Sequence, residues 1–130
     1  MLYVFLERDP FFDASSQVVA FAEQGKLDGW ICGTTVTTIH YLLAKALNRK
    51  KAEKHIKELL KIFHLSNVTR VVLEDALVSG FTDYEDAVLY QSAIHANLDT
   101  IVTRNGQDFQ KSERPVYSPT EFLKAIDILK

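Results

Sequence analysis

Residues 82–109 decide the fold, and they read TDYEDAVLYQSAIHANLDTIVTRNGQDF. Thr82 or Asp83 is a good N-cap, so a helix is predicted from there to about Ala96, with apolar side chains on one buried side. The β-branched run Thr100–Thr103 follows at once and predicts a strand. A helix that feeds directly into a short apolar strand is typical of an α/β protein.

The same alternation of helices and strands extends in both directions from this stretch. Further strands are predicted at Leu27–Cys32, Leu65–Val68 and Val116–Tyr117. Further helices are predicted from Asp9 to Gly25, from Thr34 or Thr35 to Asn48, over Lys51–Phe63, from Thr69 to Gly80, and from the Ser118–Glu121 capping box onward. Since no tight hairpin signal joins two strands, the pattern predicts a central, mainly parallel sheet between helical layers. The absence of linkers and repeats predicts a single domain over residues 1–130.

The composition excludes several classes of protein. The chain has 130 residues, of which 47% are hydrophobic and 25% are charged, and this excludes a disordered chain. Its one cysteine, Cys32, cannot form an internal disulfide, so we expect a cytoplasmic protein. No apolar run reaches the roughly 18 residues that a membrane helix requires.

The charges are unevenly distributed along the chain. The net charge is −2, yet residues 45–61 hold seven Lys or Arg against two Glu. Residues 71–103 hold six Asp or Glu and no Lys or Arg. A solvated acidic face and a divalent-cation site both explain the acidic stretch. The basic stretch forms either a solvated helix face or a surface for a polyanion.

Two short segments offer candidate site residues. Asp83 and Asp86 lie on one side of the first turn of the predicted helix, with Glu85 beside them. Helix capping explains Asp83 and Glu85, but it explains Asp86 less well, because Asp86 adjoins the buried apolar positions. Near the end of the following strand, Asn105 and Asp108 offer oxygen ligands.

Several candidate residues have a structural interpretation as well as a functional one. Arg104 could hold a phosphate, but the segment around it also reads as a polar turn that Phe109 anchors. We interpret Trp30 and Tyr41 as packing residues rather than base-stacking platforms. The chain has no glycine-rich phosphate loop, which argues against a nucleotide-binding domain.

Four segments together resemble the PIN-domain family. They are DYEDA at 83–87, IVTRNGQDF at 101–109, RDPFF at 8–12 and SPTEF at 118–122, in the family's order. The resemblance implies a three-layer α/β/α sandwich with a parallel sheet. It also implies a ribonuclease that depends on magnesium or manganese, of the kind found as toxins of bacterial toxin–antitoxin pairs.

The resemblance implies roles for particular residues. Asp86 and Asp108 are the expected metal ligands, and Asp83 joins them as a catalytic or orienting acid. The expected substrate-binding residues are Arg104, Asn105 and Thr38, with the Lys50–Lys61 helix as a further phosphate contact. The implied partners are RNA, an antitoxin-like protein and a second copy of the chain, without a membrane.

The chain departs from the family pattern at three positions. We expect the chain to lack the N-terminal strand and its Asp-x-Asn motif, which would precede Met1–Leu6. Thr38 stands at the second acidic position, and Asn105 stands at the fourth. Two hypotheses follow: the true start lies upstream of Met1, or the chain has lost catalysis. In the second case it is a non-catalytic PIN-like binding module that dimerises or binds an antitoxin-like partner. Because an empty central strand position would expose backbone groups, we expect part of Met1–Leu6 to fill it, or a neighbouring chain to cover it.

Overall fold

The computed structural model describes the backbone of residues 2–4 and 13–129 and the side chains of residues 17–126. The strands are β1 (Leu2–Val4), β2 (Gly29–Cys32), β3 (His64–Ser66), β4 (Thr100–Val102) and β5 (Val116–Tyr117). The helices are α1 (Asp13–Glu23), α2 (Gly33–Ala46), α3 (Arg49–Ile62), α4 (Arg70–Leu77), α5 (Tyr84–His95) and α6 (Pro119–Leu129). A 3₁₀ helix at Gly106–Phe109 follows β4. Within the described ranges, no helix is long and apolar enough to span a bilayer.

The five strands form one sheet in the order β3-β2-β1-β4-β5, and every pairing in it is parallel. Strand β1 lies at the centre, where Tyr3 is in register with Trp30 on one side and Ile101 on the other. The predicted parallel sheet is therefore confirmed. The central position is filled by Leu2–Val4, as we expected of part of Met1–Leu6.

Helices cover both faces of this sheet. Neighbouring strand residues point to opposite faces, so Ile31 and Val102 pack into one core while Cys32 and Ile101 pack into the other. The first core also takes buried side chains from α1, α2, α3 and α6. The second core takes buried side chains from α5 and adjoins a cluster between α4 and α5. The chain is thus the predicted three-layer α/β/α sandwich.

Most predicted helix starts agree with the structure. The side chains of Thr69 and Asp83 cap α4 and α5. At α6, the Ser118 N–H donates to Glu121 Oε1 at 2.9 Å and the Glu121 N–H donates to Ser118 Oγ at 3.1 Å, which is the predicted capping box. The start expected for α1 at Asp9 lies outside the described residues.

Three helix boundaries were predicted wrongly. Helix α4 ends at Leu77 and not at Gly80. Helix α2 begins at Gly33 with Cys32 as its N-cap, so neither Thr34 nor Thr35 caps it. Asn48 does not end α2 but begins α3, because its side chain accepts a hydrogen bond from the Lys51 N–H at 2.9 Å. An asparagine is a strong N-cap, and this local bond fixes the boundary.

Candidate functional site

The carboxyl ends of parallel strands meet at one edge of a sheet, where the loops that follow them can form a site. Strand β4 leads at this edge into Thr103 and then the 3₁₀ helix. The Thr103 side chain is buried, and its Oγ1 accepts a hydrogen bond from the Asn105 N–H at 3.1 Å. The Asp108 N–H in turn donates to the Asn105 carbonyl at 3.0 Å. These bonds fix the path of the chain from the strand to Asp108.

The first turn of α5 holds the acids Asp83 and Asp86. Asp83 is the N-cap, and its Oδ1 accepts a hydrogen bond from the Asp86 N–H at 3.0 Å. The side chain of Asp86 is buried, with 9% relative exposure, whereas Asp83 and Glu85 are exposed. Capping therefore accounts for Asp83, but it does not account for the burial of the Asp86 carboxylate.

Three aromatic rings hold the 3₁₀ helix against the loop before α5. Phe81 lies edge-on to Phe109 at 5.9 Å and stacks on Tyr90 of α5 at 5.0 Å between ring centroids. The Tyr90 hydroxyl also accepts a hydrogen bond from the Glu113 N–H at 2.8 Å. Because Phe109 is almost fully buried, it anchors the 3₁₀ helix and brings Asp108 towards α5.

A cleft of about 400 Å³ lies between this loop, the start of α5 and the 3₁₀ helix. Its walls carry Asp83, Asp86 and Asp108, so the structure brings together the three acids that the sequence singled out. Phe81 and Thr82 contribute from the loop, and Gln107 and Gln110 from the opposite wall.

Lys111 places a positive charge in the same cleft. It follows the 3₁₀ helix, and its side chain lies over Gly80, so that a Cβ atom on Gly80 would be 2.9 Å from the Lys111 Nζ. Gly80 has a positive φ of 82°, which glycine adopts without strain. The turn at Gly80, three residues after the end of α4, thus leaves room for the ammonium group.

The three residues predicted to bind substrate, Arg104, Asn105 and Thr38, are not among the described residues that line this cleft. Arg104 and Asn105 are exposed between β4 and the 3₁₀ helix. Thr38 is exposed on the second turn of α2, where its hydroxyl donates to the Thr34 carbonyl at 3.1 Å. Strands β2 and β4, which lead to these segments, flank the central strand. The two segments therefore lie at the same edge of the sheet.

The PIN domain family matches residues 1–107 of the sequence. This chain belongs to the PIN-domain family. Comparison with curated proteins gives no significant match.

Two solved structures share the fold of this PIN domain. One is VapBC2 from Rickettsia felis bound to a DNA fragment from their promoter, with a TM-score of 0.63, 14% identity, and coverage of 91% of this chain and 98% of that chain. The other is FitAB bound to an IR36 DNA fragment, with a TM-score of 0.67, 16% identity, and coverage of 92% and 95%.

PIN domains generally use divalent metal ions, and such ions bind carboxylate oxygens like those of the cleft. Within residues 17–126, no group of three or more His, Cys, Asp or Glu side chains is arranged to hold an ion. Mg²⁺, however, commonly keeps several waters and binds through one or two carboxylates plus substrate phosphates. Two carboxylates of this kind, Asp86 and Asp108, line the cleft from different segments of the chain. One oxygen of Asp83 is already used in capping α5.

Sequence reasoning missed Gly80, Phe81 and Lys111. A glycine three residues before the Asp83 cap was read only as a helix end, although it also marks a turn into the acidic helix. Lys111 stands three residues after Asp108, but no local pattern indicated that its side chain would return to Gly80.

Proposed function

We propose that this PIN domain is a metal-dependent endoribonuclease of the toxin type. The observation that carries the proposal is the buried Asp86 carboxylate, which faces the same cleft as Asp108 from a different segment of the chain. Burial disfavours a charged carboxylate unless other groups or ions compensate it. A carboxylate at the wall of a cleft that also holds a second acid can serve as a ligand for a cation.

In this proposal Asp86 and Asp108 would hold Mg²⁺ or Mn²⁺, with substrate phosphate oxygens and waters as the other ligands. When bound, the ion would activate water and stabilise charge on the phosphate. Asp83 acts through its capping bond, which orients the first turn of α5 and so positions Asp86.

In this proposal Lys111 and the three residues predicted to bind substrate contact the RNA chain. Lys111 would contact a phosphate oxygen at the cleft, since its position over Gly80 places a cation beside the acids. Arg104 and Asn105 follow β4 at the same edge and would contact the neighbouring phosphate and sugar. Thr38 would contribute its hydroxyl from α2. An RNA substrate and the single buried thiol of Cys32 are consistent with a cytoplasmic protein.

The proposal is tested by RNA cleavage with added Mg²⁺ or Mn²⁺. Asp86→Asn keeps the shape of the side chain but removes its charge, and we expect cleavage to fall at least about 100-fold. Glu85→Gln is the matched control, because Glu85 is exposed on the same turn and is not part of the cleft. Its cleavage rate should stay within about two-fold of the wild-type rate.

Equal rates for the two variants would contradict the proposal, as would cleavage that is unchanged by a chelator. A Mn²⁺ titration followed by electron paramagnetic resonance gives a second readout. The wild type should bind the ion, and Asp86→Asn should bind it at least about ten-fold more weakly.

A second candidate function is binding of a protein partner, and the surface of α4 favours it. Leu77 is 70% exposed, Val78 is 85% exposed and Leu73 is 39% exposed, so several apolar side chains face solvent together. In this hypothesis the chain pairs with an antitoxin-like protein, which its likeness to the VapBC2 and FitAB complexes supports, or with a second copy of itself. Sedimentation of the wild type and of Leu77→Glu tests self-association. A monomer in both cases would exclude the homodimer.

A further inference from the structure

One side of α2 carries the half-buried Thr34 and the exposed Thr38, Tyr41 and Lys45. These positions are four, three and four residues apart, which places them along a single line on the helix. The opposite side carries the buried residues Ile39 and Leu43, so the line faces away from the core. Tyr41 is 62% exposed, and our interpretation of it as a packing residue is therefore wrong.

Lys45 lies close to the ring of Tyr41. Its Nζ is 5.7 Å from the ring centroid. A cation–π contact at an exposed site is weak, so a ligand can displace it at small cost. An aromatic ring and a cation side by side match the two repeating parts of a nucleic acid, the base and the phosphate.

We propose that Tyr41 and Lys45 form a binding subsite for single-stranded RNA, in which one base stacks on the tyrosine ring and an adjacent phosphate contacts the lysine. This inference rests on the proposed ribonuclease function, because it continues the path of the substrate beyond the cleft. Thr38, the residue expected to bind substrate, lies on the same line of α2. From Thr38 to Lys45 the helix axis advances about 10 Å, which accommodates more than one nucleotide.

The charge next to this subsite favours a polyanion over a protein partner. Helix α3 follows α2 after only Leu47 and Asn48, and the two helices share one core through Leu43 and Ala52. The exposed cations of α3 are Arg49, Lys50, Lys51, Lys54, Lys57 and Lys61. Only Glu53, which pairs with Arg49 at 3.1 Å, and Glu58 offset these six cations, so α3 stays strongly positive. Positive charge of this density attracts RNA over a long range.

The test uses a 12-nucleotide single-stranded RNA that carries 2-aminopurine, with a chelator present so that the RNA stays intact. We expect Tyr41→Ala to weaken binding about 5- to 150-fold, the range for losing one stacked base. It should also abolish the 2-aminopurine quenching that stacking produces. Tyr41→Phe keeps the ring and should retain both the affinity and the quenching.

Lys45→Gln gives an independent readout. Losing one phosphate contact should lower the slope of log affinity against log salt by about 0.7. Gln17→Ala is the control, since Gln17 is exposed on α1 and has no part in any of the proposals. Its affinity and slope should equal those of the wild type.

Wild-type affinity and quenching in Tyr41→Ala would overturn the subsite while leaving the ribonuclease proposal intact. Binding that depends on Tyr41 but is never followed by cleavage with Mg²⁺ or Mn²⁺ would support the subsite and overturn the nuclease. A wild type that does not bind the RNA would overturn both. Because Tyr41 is exposed, none of these variants should lose its fold.

Discussion

Helices α3 and α5 begin in the same way but serve different purposes. Asn48 Oδ1 accepts from the Lys51 N–H at 2.9 Å, and Asp83 Oδ1 accepts from the Asp86 N–H at 3.0 Å. The third helical residue is exposed in α3, whereas Asp86 in α5 is buried against a cleft. An identical local motif thus produces a solvated lysine in one place and a candidate ligand in the other. Tertiary packing around the motif makes the difference.

The packing around the two motifs differs in kind. Near α5, the rings of Phe81, Tyr90 and Phe109 fasten the 3₁₀ helix to the helix start. The α2–α3 hairpin is held by aliphatic side chains on its inner side and leaves its outer side to cations. Aromatic packing holds the acids of the cleft in place. On the α2–α3 hairpin, by contrast, the cations and the ring of Tyr41 face solvent.

The largest effect expected from this comparison is that of Phe109→Ala. Phe109 is 2% exposed, so truncation leaves a cavity and should cost about 3–5 kcal/mol in the free energy of unfolding. Leu60→Ala on α3 is the counterpart, since Leu60 is 45% exposed and should cost less than about 1 kcal/mol. Urea unfolding measures both. Equal losses would show that the aromatic cluster is not the anchor of the 3₁₀ helix.

The second-largest effect is expected for substitution of Gly80, and Gly33 serves as its comparison. Gly80→Ala forces a positive φ on alanine and pushes against Lys111, so it should destabilise the protein by about 1–2 kcal/mol. It should also lower RNA cleavage, because Lys111 has to move. Gly33→Ala meets no atom within 4 Å at the start of α2 and should be neutral or stabilising by up to about 1 kcal/mol. Thermal unfolding of both variants checks the contrast, and a destabilised Gly33→Ala would contradict it.

The two N-caps give a smaller, matched pair. Asn48→Ala and Asp83→Ala should each cost about 1 kcal/mol in chemical unfolding, because each removes one capping bond of similar length. Only Asp83→Ala should reduce RNA cleavage, since only that cap orients a carboxylate of the cleft. If both variants lost activity, the loss would reflect lower stability and not the position of the cleft carboxylate.

The smallest effect concerns acid titration of the α6 capping box. Hydrogen bonds from Ser118, first from its backbone and then from its side chain, hold the pKa of Glu121 below its ordinary value, and Lys124 adds to this. The folded state therefore prefers the carboxylate, so its contribution is present at neutral pH and is lost as the pH falls below about 4. Melting curves of wild type and Glu121→Ala should differ at pH 7 and converge at low pH. A difference that does not vary with pH would contradict this assignment.

Sequence reasoning worked where the decisive contacts are local. The caps at Thr69 and Asp83 and the Ser118–Glu121 box each involve residues three positions apart, so their signal is contained in a short segment. Reasoning failed at the start of α2, where two threonines suggested a cap but Cys32 takes that position without a side-chain bond. It failed again at Tyr41, because an aromatic residue within an apolar helix pattern is usually buried.

The alternation of helices and strands, the separation of basic and acidic segments, and the candidate acids can all be predicted from the sequence alone. The three-dimensional packing is needed to see that Asp86, Asp108 and Lys111 face one cleft and that Tyr41 faces solvent. The difference follows from the range of the interactions. Capping and periodicity act over three or four residues, whereas the cleft joins distant segments that β4 in the sheet and the contact of Phe109 with Phe81 hold together.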